Sequence, residues 1–155
     1  MAAILRLTVL ALAMAGAATA IAADEAGAAL DAGRARWQAA ALADYEYGYH
    51  KYCDCYGESP PETLVTVRAG KVERVRHRRA GYPNEVPAED RNVQYYWTVD
   101  ELFDLVGSAL DGEATVRAEY DAVLGFPTLL YVDYDANLIG DELDLRLTRV
   151  APLDP

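Results

Sequence analysis

Cys53-Asp54-Cys55 is the segment with the most reactive side chains in the chain, and these are its two cysteines. Only one intramolecular bridge can form. In an oxidising compartment a pair of thiols is expected to oxidise. In a flat strand, residues two apart hold their Cα atoms about 6.5–7 Å from each other, the upper limit for a disulfide. Bridging therefore requires a kink at a strand end. It adds only about 1.6 kcal/mol by the loop-entropy model. A strained short loop is also easier to reduce. A local disulfide is the expectation, with buried thiols, a redox-active pair or a metal site as alternatives. His50 with Cys53 and Cys55 would supply three ligands to zinc or copper. Alternation opposes this, because His50 falls on the strand face opposite both cysteines.

A second cluster is acidic. Asp133, Asp135, Asn137 and Asp141 lie within nine residues, with Asp144 beyond them. Calcium takes roughly six to eight oxygen ligands, and this segment offers several. Leu138 stands where a helix-flanked calcium loop needs glycine, and strand-like sequence flanks the segment on both sides. The expectation is a hairpin loop whose Asp and Asn side chains bond their own backbone. No cofactor is expected, and calcium is the cation this loop could hold.

Other catalytic constellations are missing from the sequence. Beyond residue 22 there are two serines, Ser59 before a proline and Ser108 within a helical pattern. There is no G-x-S-x-G, no H-E-x-x-H and no phosphate-cradling glycine loop. The chain has 25 acidic residues, so a glycosidase-like carboxylate pair would arise by chance and carries little weight.

The elements that must position these residues follow from periodicity. Leu30, Trp37 and Ala41 fall on one helical face over 28–43, with Gly33 weakening the interior. Tyr45, Tyr47, Tyr49, Lys51, Cys53 and Cys55 share one strand face, and Glu46, His50 and Asp54 the other. Two strand patterns, 63–68 and 71–76, flank Ala69-Gly70 as a hairpin. A long connection with Gly81, Pro83 and Pro87 runs from Arg78 to Tyr96. Thr98 and Glu101 form a capping box. Val99, Leu102, Phe103, Val106, Ala109 and Leu110 then follow helical spacing up to Gly112. Strand patterns at 114–121, 128–134 and 142–150 complete the chain. Clean alternation calls for an antiparallel sheet with one solvated face. The fold class is α+β: a single antiparallel β-sheet with two helices packed on one face, in the order α-β-β-β-α-β-β-β.

Residues 1–22 read as a secretory signal peptide. Arg6 precedes an apolar run from Leu7 to Ala15, and the sites Ala18-Thr19-Ala20 and Ala20-Ile21-Ala22 suit cleavage. The run is shorter than the roughly 20 residues of a spanning helix. The remaining organisation is an acidic flexible linker at 23–33, one domain at 34–150 and a tail at 151–155. The net charge of −11 argues against nucleic-acid binding and against an anionic membrane surface. The product is expected to be periplasmic or secreted, soluble, and without stable membrane insertion after signal cleavage.

Taken in order, Trp37, Tyr45-x-Tyr47, Cys53-x-Cys55, Thr98-Val99-Asp100-Glu101-Leu102-Phe103, Tyr120-Asp121, Gly125-Phe126-Pro127-Thr128, Asp133 and Asp141-Glu142 form a pattern. It resembles the secreted bacterial proteins and lipoproteins grouped as domain of unknown function 6174, across Arg34 to Val150. The resemblance implies a single secreted domain and supplies no catalytic residue. The chain lacks the lipobox cysteine of lipid-anchored members, so it is not expected to be tethered. The reading is a small acidic, non-enzymatic binding or inhibitor-like module. A basic envelope or extracellular protein is the partner its charge would steer. The alternative is an envelope redox or metal-handling protein using Cys53 and Cys55.

Overall fold

The computed structural model describes residues 24–52, 62–78, 93–112 and 114–153. Cys53 and Cys55, residues 1–23 and most of the 78–96 connection lie outside the described residues. Helix α1 covers residues 24–40. Strands β1 (Tyr45–Tyr52), β2 (Glu62–Arg68) and β3 (Lys71–Arg78) follow, then a 3₁₀ turn at Val93–Tyr95. Helix α2 (Val99–Leu110) leads into β4 (Thr115–Tyr120), β5 (Pro127–Asp133) and β6 (Leu143–Pro152).

Two boundaries differ from the sequence reading. The linker expected at 23–33 is helical from residue 24, with Leu30 and Gly33 buried. The alanines, Glu25 and Leu30 favour helix despite the two glycines, the acids Asp24 and Glu25 suit a first turn, and Leu30 packs into the core. The expected tail at 151–155 begins inside a strand, because β6 pairs Ala151 with Glu46 and Pro152 with Tyr45.

All six strands form one antiparallel sheet in the order β3-β2-β1-β6-β5-β4. Each half of the chain contributes a three-stranded meander, and the halves join where β1 meets β6. Both helices share one face with a continuous apolar core that includes Leu30, Trp37, Phe103, Val106, Leu130 and Leu145. The β2–β3 turn is tight, with Ala69 at φ 47° and Gly70 at φ 71°. The Ala69 amide donates to Asp44 Oδ1 at 2.9 Å, which fixes that turn to the start of β1.

The tyrosines of β1 set the entry to α2. Tyr45, Tyr47 and Tyr49 are buried, and Trp37 meets Tyr45 edge to face at 5.0 Å. The first turn of a helix leaves amides without intrahelical acceptors. Val99 N–H donates to Tyr45 Oη at 2.9 Å, and Tyr47 Oη donates to the Trp97 carbonyl. The capping box is formed as expected: Glu101 N–H donates to Thr98 Oγ1 at 3.2 Å, and Thr98 N–H to Glu101 Oε2 at 2.6 Å. At the far end Gly112 is not in a left-handed conformation. The cap is Asp111, and Gly112 N–H bonds the Ala109 carbonyl at 3.2 Å.

Close backbone approach seats α1 against the β4–β5 turn. A Cβ on Gly33 would lie 2.7 Å from Tyr120 Cδ1 and 3.1 Å from the Gly125 carbonyl. Gly125 itself sits at φ +81°. In that turn Asp121 Oδ1 accepts from Val123 N–H and Leu124 N–H at 2.9 and 2.6 Å.

Candidate binding face of the sheet

Because Tyr45, Tyr47 and Tyr49 point toward the helices, Glu46, His50 and Tyr52 project from the other face. The register extends that face across the sheet. His50 stands opposite Arg146, Tyr52 opposite Asp144, Asp144 opposite Tyr131, and Tyr131 opposite Arg117. These six residues range from half-buried to exposed, and Tyr52 is 48% exposed. Toward β2 the same face is closed, since Leu64 and Thr66 are buried.

Each charged group in this row has a partner. Arg146 Nη1 pairs with Asp144 Oδ1 and donates to the Leu145 carbonyl at 3.0 Å. Its guanidinium lies 5.5 Å over the Tyr52 ring, and His50 stacks on that ring at 6.3 Å. Arg117 lies 4.8 Å over the Tyr131 ring. On the closed side Arg76 pairs with Glu46, and Thr66 Oγ1 donates to Glu46 Oε2 at 3.3 Å. Arginines and tyrosines already held in pairs on strands lose little rotamer freedom on contact, so they suit recognition. No nucleophile and base share a hydrogen bond in this row, and among the described residues no three His, Cys, Asp or Glu gather as a metal site.

The acidic loop lies beside this face, between β5 and β6. Asn137 N–H and Nδ2 both donate to Asp135 Oδ1, at 3.0 and 2.9 Å. Asp135 N–H donates to Asp141 Oδ2 at 2.8 Å, and Gly140 N–H to Glu142 Oε2 at 2.9 Å. These are the local turn bonds the hairpin reading expects. The two bonds from Asn137 hold the Asp135 carboxyl below the usual carboxylate range. Asp133 Oδ1 and Asp141 Oδ1 are buried without hydrogen-bond partners. The structure thus brings Asp135, Asn137 and Asp141 together through backbone amides rather than around a common point.

Sequence reading placed His50 on this face, attached Asp144 and Arg146 only to the acidic loop, and left Tyr52, Tyr131 and Arg117 without a role. Their signal is parity: each lies on the strand face that the core residues avoid. What could not be read was that β1 and β6, distant in sequence, would become neighbours.

No curated protein and no solved structure matches the chain. The model of a family of unknown function, DUF6174, matches residues 29–152. That span contains both helices' buried faces, the β1 tyrosines, the capping box and the Asp121 turn, so the matched pattern is largely the frame of the fold. The chain belongs to the DUF6174 family.

Proposed function

We propose that this chain is an exported, non-enzymatic binding module, and that a basic protein docks on the open part of the sheet face. One observation carries the reading: Tyr52, His50, Arg146, Asp144, Tyr131 and Arg117 form an ordered row on paired strands, uncovered by either helix. Tyrosine and arginine are the side chains that most often anchor protein interfaces. The net charge of −11, and the acidic loop beside the row, favour a cationic partner. Export rests on the signal-like residues 1–22. An inhibitor of a basic hydrolase is the form of partner this steering fits.

The test is a titration of the purified mature protein, by nuclear magnetic resonance, with a panel of basic extracellular hydrolases. The expected result is salt-sensitive binding whose shifts map to the row, lost in Tyr52→Ala and in Asp144→Lys without a change in fold. Binding by none of the panel, or shifts confined to the helices, overturns the reading. A redox or metal-handling role for Cys53 and Cys55 is the second reading, since that pair directly follows Tyr52 in sequence. Thiol titration with and without reductant, with metal analysis, distinguishes it.

A further inference from the structure

Among the described residues, the sheet ends in two edge strands of opposite character. An exposed edge presents unpaired backbone groups that another strand can use, unless charge or distortion prevents it. Strand β3 is defended in both ways. Antiparallel pairing of two β3 strands about Val75 would set Arg74 against Arg76, and β3 also carries the extra residue of a bulge at Glu73. Strand β4 is undistorted, because the bulge between β4 and β5 places its extra residue, Thr128, on β5.

The β4 sequence is Thr115-Val116-Arg117-Ala118-Glu119-Tyr120. Consider two copies antiparallel about Ala118. Arg117 of each then faces Glu119 of the other, twice by symmetry. On the helix side Val116 faces Tyr120, also twice. Directly opposed charges of unlike sign stabilise an antiparallel pair, and like charges destabilise it. Neighbouring registers that keep core and solvent faces in place shift by one residue about the axis. They oppose Arg117 to Arg117, or Glu119 to Glu119. Only the register about Ala118 satisfies all the charges, and it is isologous, as a twofold dimer requires.

A second feature lies at the same place. Leu105, Ser108, Ala109, Gly112, Ala114 and Tyr134 line a half-open cavity of about 230 Å³ at the start of β4. Pairing about Ala118 sets Ala114 opposite Ala122 of the second copy. That brings the turn bearing Val123, 80% exposed, to the cavity end of the strand. Each copy would offer both the turn and the cavity.

We propose that the outer edge of β4 is a self-association surface, on which a second copy of this chain pairs antiparallel about Ala118 to make one twelve-stranded sheet. The row of the binding face would then continue across the twofold axis. Two copies would present it twice, which raises avidity for a repetitive or multimeric partner without any new contact.

The experiment is sedimentation of the mature protein over a wide concentration range, with charge variants at exposed positions. Wild type should show a monomer–dimer equilibrium. Arg117→Glu opposes acids, and Glu119→Arg opposes guanidinium groups. Each should weaken the dimer by about tenfold or more, from the loss of two favourable pairs and the gain of two unfavourable ones. The double variant R117E/E119R should recover the wild-type constant. An equimolar mixture of the two single variants should form a heterodimer, since every opposed pair is then unlike. Circular dichroism and melting temperature report whether each variant is folded. A wild-type chain that stays monomeric at every concentration overturns the proposal. So does a dimer indifferent to the single variants, or one rescued by neither the double variant nor the mixture.

Discussion

Alanine at Gly27 and alanine at Gly33 make the same chemical change in one helix, and they should act in opposite directions. A Cβ on Gly27 meets nothing within 4 Å. There the substitution only removes the backbone entropy that glycine loses in a helix, a gain of up to about 1 kcal/mol. At Gly33 the same gain is available, but the Cβ lies 2.7 and 2.9 Å from Tyr120 Cδ1 and Cγ and 3.1 Å from the Gly125 carbonyl. The Tyr120 ring cannot easily turn aside, because it stacks on Phe103 at 5.9 Å with 7° between planes. Forcing a methyl group into a close-packed contact costs about 1–3 kcal/mol. The net expectation is a loss of up to about 2 kcal/mol at Gly33. Gly125→Ala should cost more again. Its φ of +81° disfavours any L-residue by about 1–2 kcal/mol. Its Cβ would also fall 2.2 Å from the Gly33 carbonyl. Urea melts with unchanged m-values measure all three. If Gly33→Ala stabilises as Gly27→Ala does, α1 does not seat on the β4–β5 turn in this way.

Phe103→Ala should lose about 3–5 kcal/mol, since its side chain is fully buried, and Thr98→Ala about 1 kcal/mol through the lost cap; a Phe103 variant melting like wild type would contradict the packing of α2. Tyr45→Phe leaves the Val99 amide without its acceptor and should cost about 1–3 kcal/mol in denaturant melts. Burial pushes the hydroxyl of Tyr120 up to about 12 and those of Tyr45, Tyr47 and Tyr49 higher still. Their folded-state values exceed the unfolded value near 10, so this stability is complete below about pH 10 and is lost as pH rises toward 12 and beyond. Exposed tyrosines should ionise first with the fold intact, and the last part of the tyrosinate absorbance should rise together with loss of near-ultraviolet dichroism; ionisation of all tyrosines in a still-folded protein would refute it. Chelator and millimolar calcium should leave the melting temperature unchanged, because backbone amides already hold Asp135 and Asp141; a calcium-specific rise lost in Asp133→Asn would make the loop a metal site.

The fold class was legible because its strongest signals are local. Thr98 with Glu101 marks a helix start by side-chain chemistry alone, and the alternation along β1 separates core from solvent. The beginning of α1 was misplaced because two glycines and negative charge read as a linker, whereas the alanines, Glu25 and Leu30 favour helix, first-turn acids suit its start, and tertiary packing buries Leu30. Gly33 read as a defect in the helix. Its reason, the approach of Gly125, joins residues far apart in sequence. The candidate face was half legible. Parity put His50 on it, but the pairing of Tyr52 with Asp144 depends on β1 meeting β6, which no local pattern encodes. The acidic residues at 133–141 were conspicuous as a composition, while their actual bonds are to loop amides.

The seam between β1 and β6 governs when the molecule can become whole. The first meander emerges with one side of β1 unpaired and with Tyr45 and Tyr47 lacking Val99 and Trp97. The strand that closes that gap is β6, the last strand among the described residues. Until residues 143–152 are available, the centre of the sheet is an open edge flanked by bare aromatic rings. The strand order thus makes removal of residues 143–152 a loss from the middle of the sheet rather than from an edge.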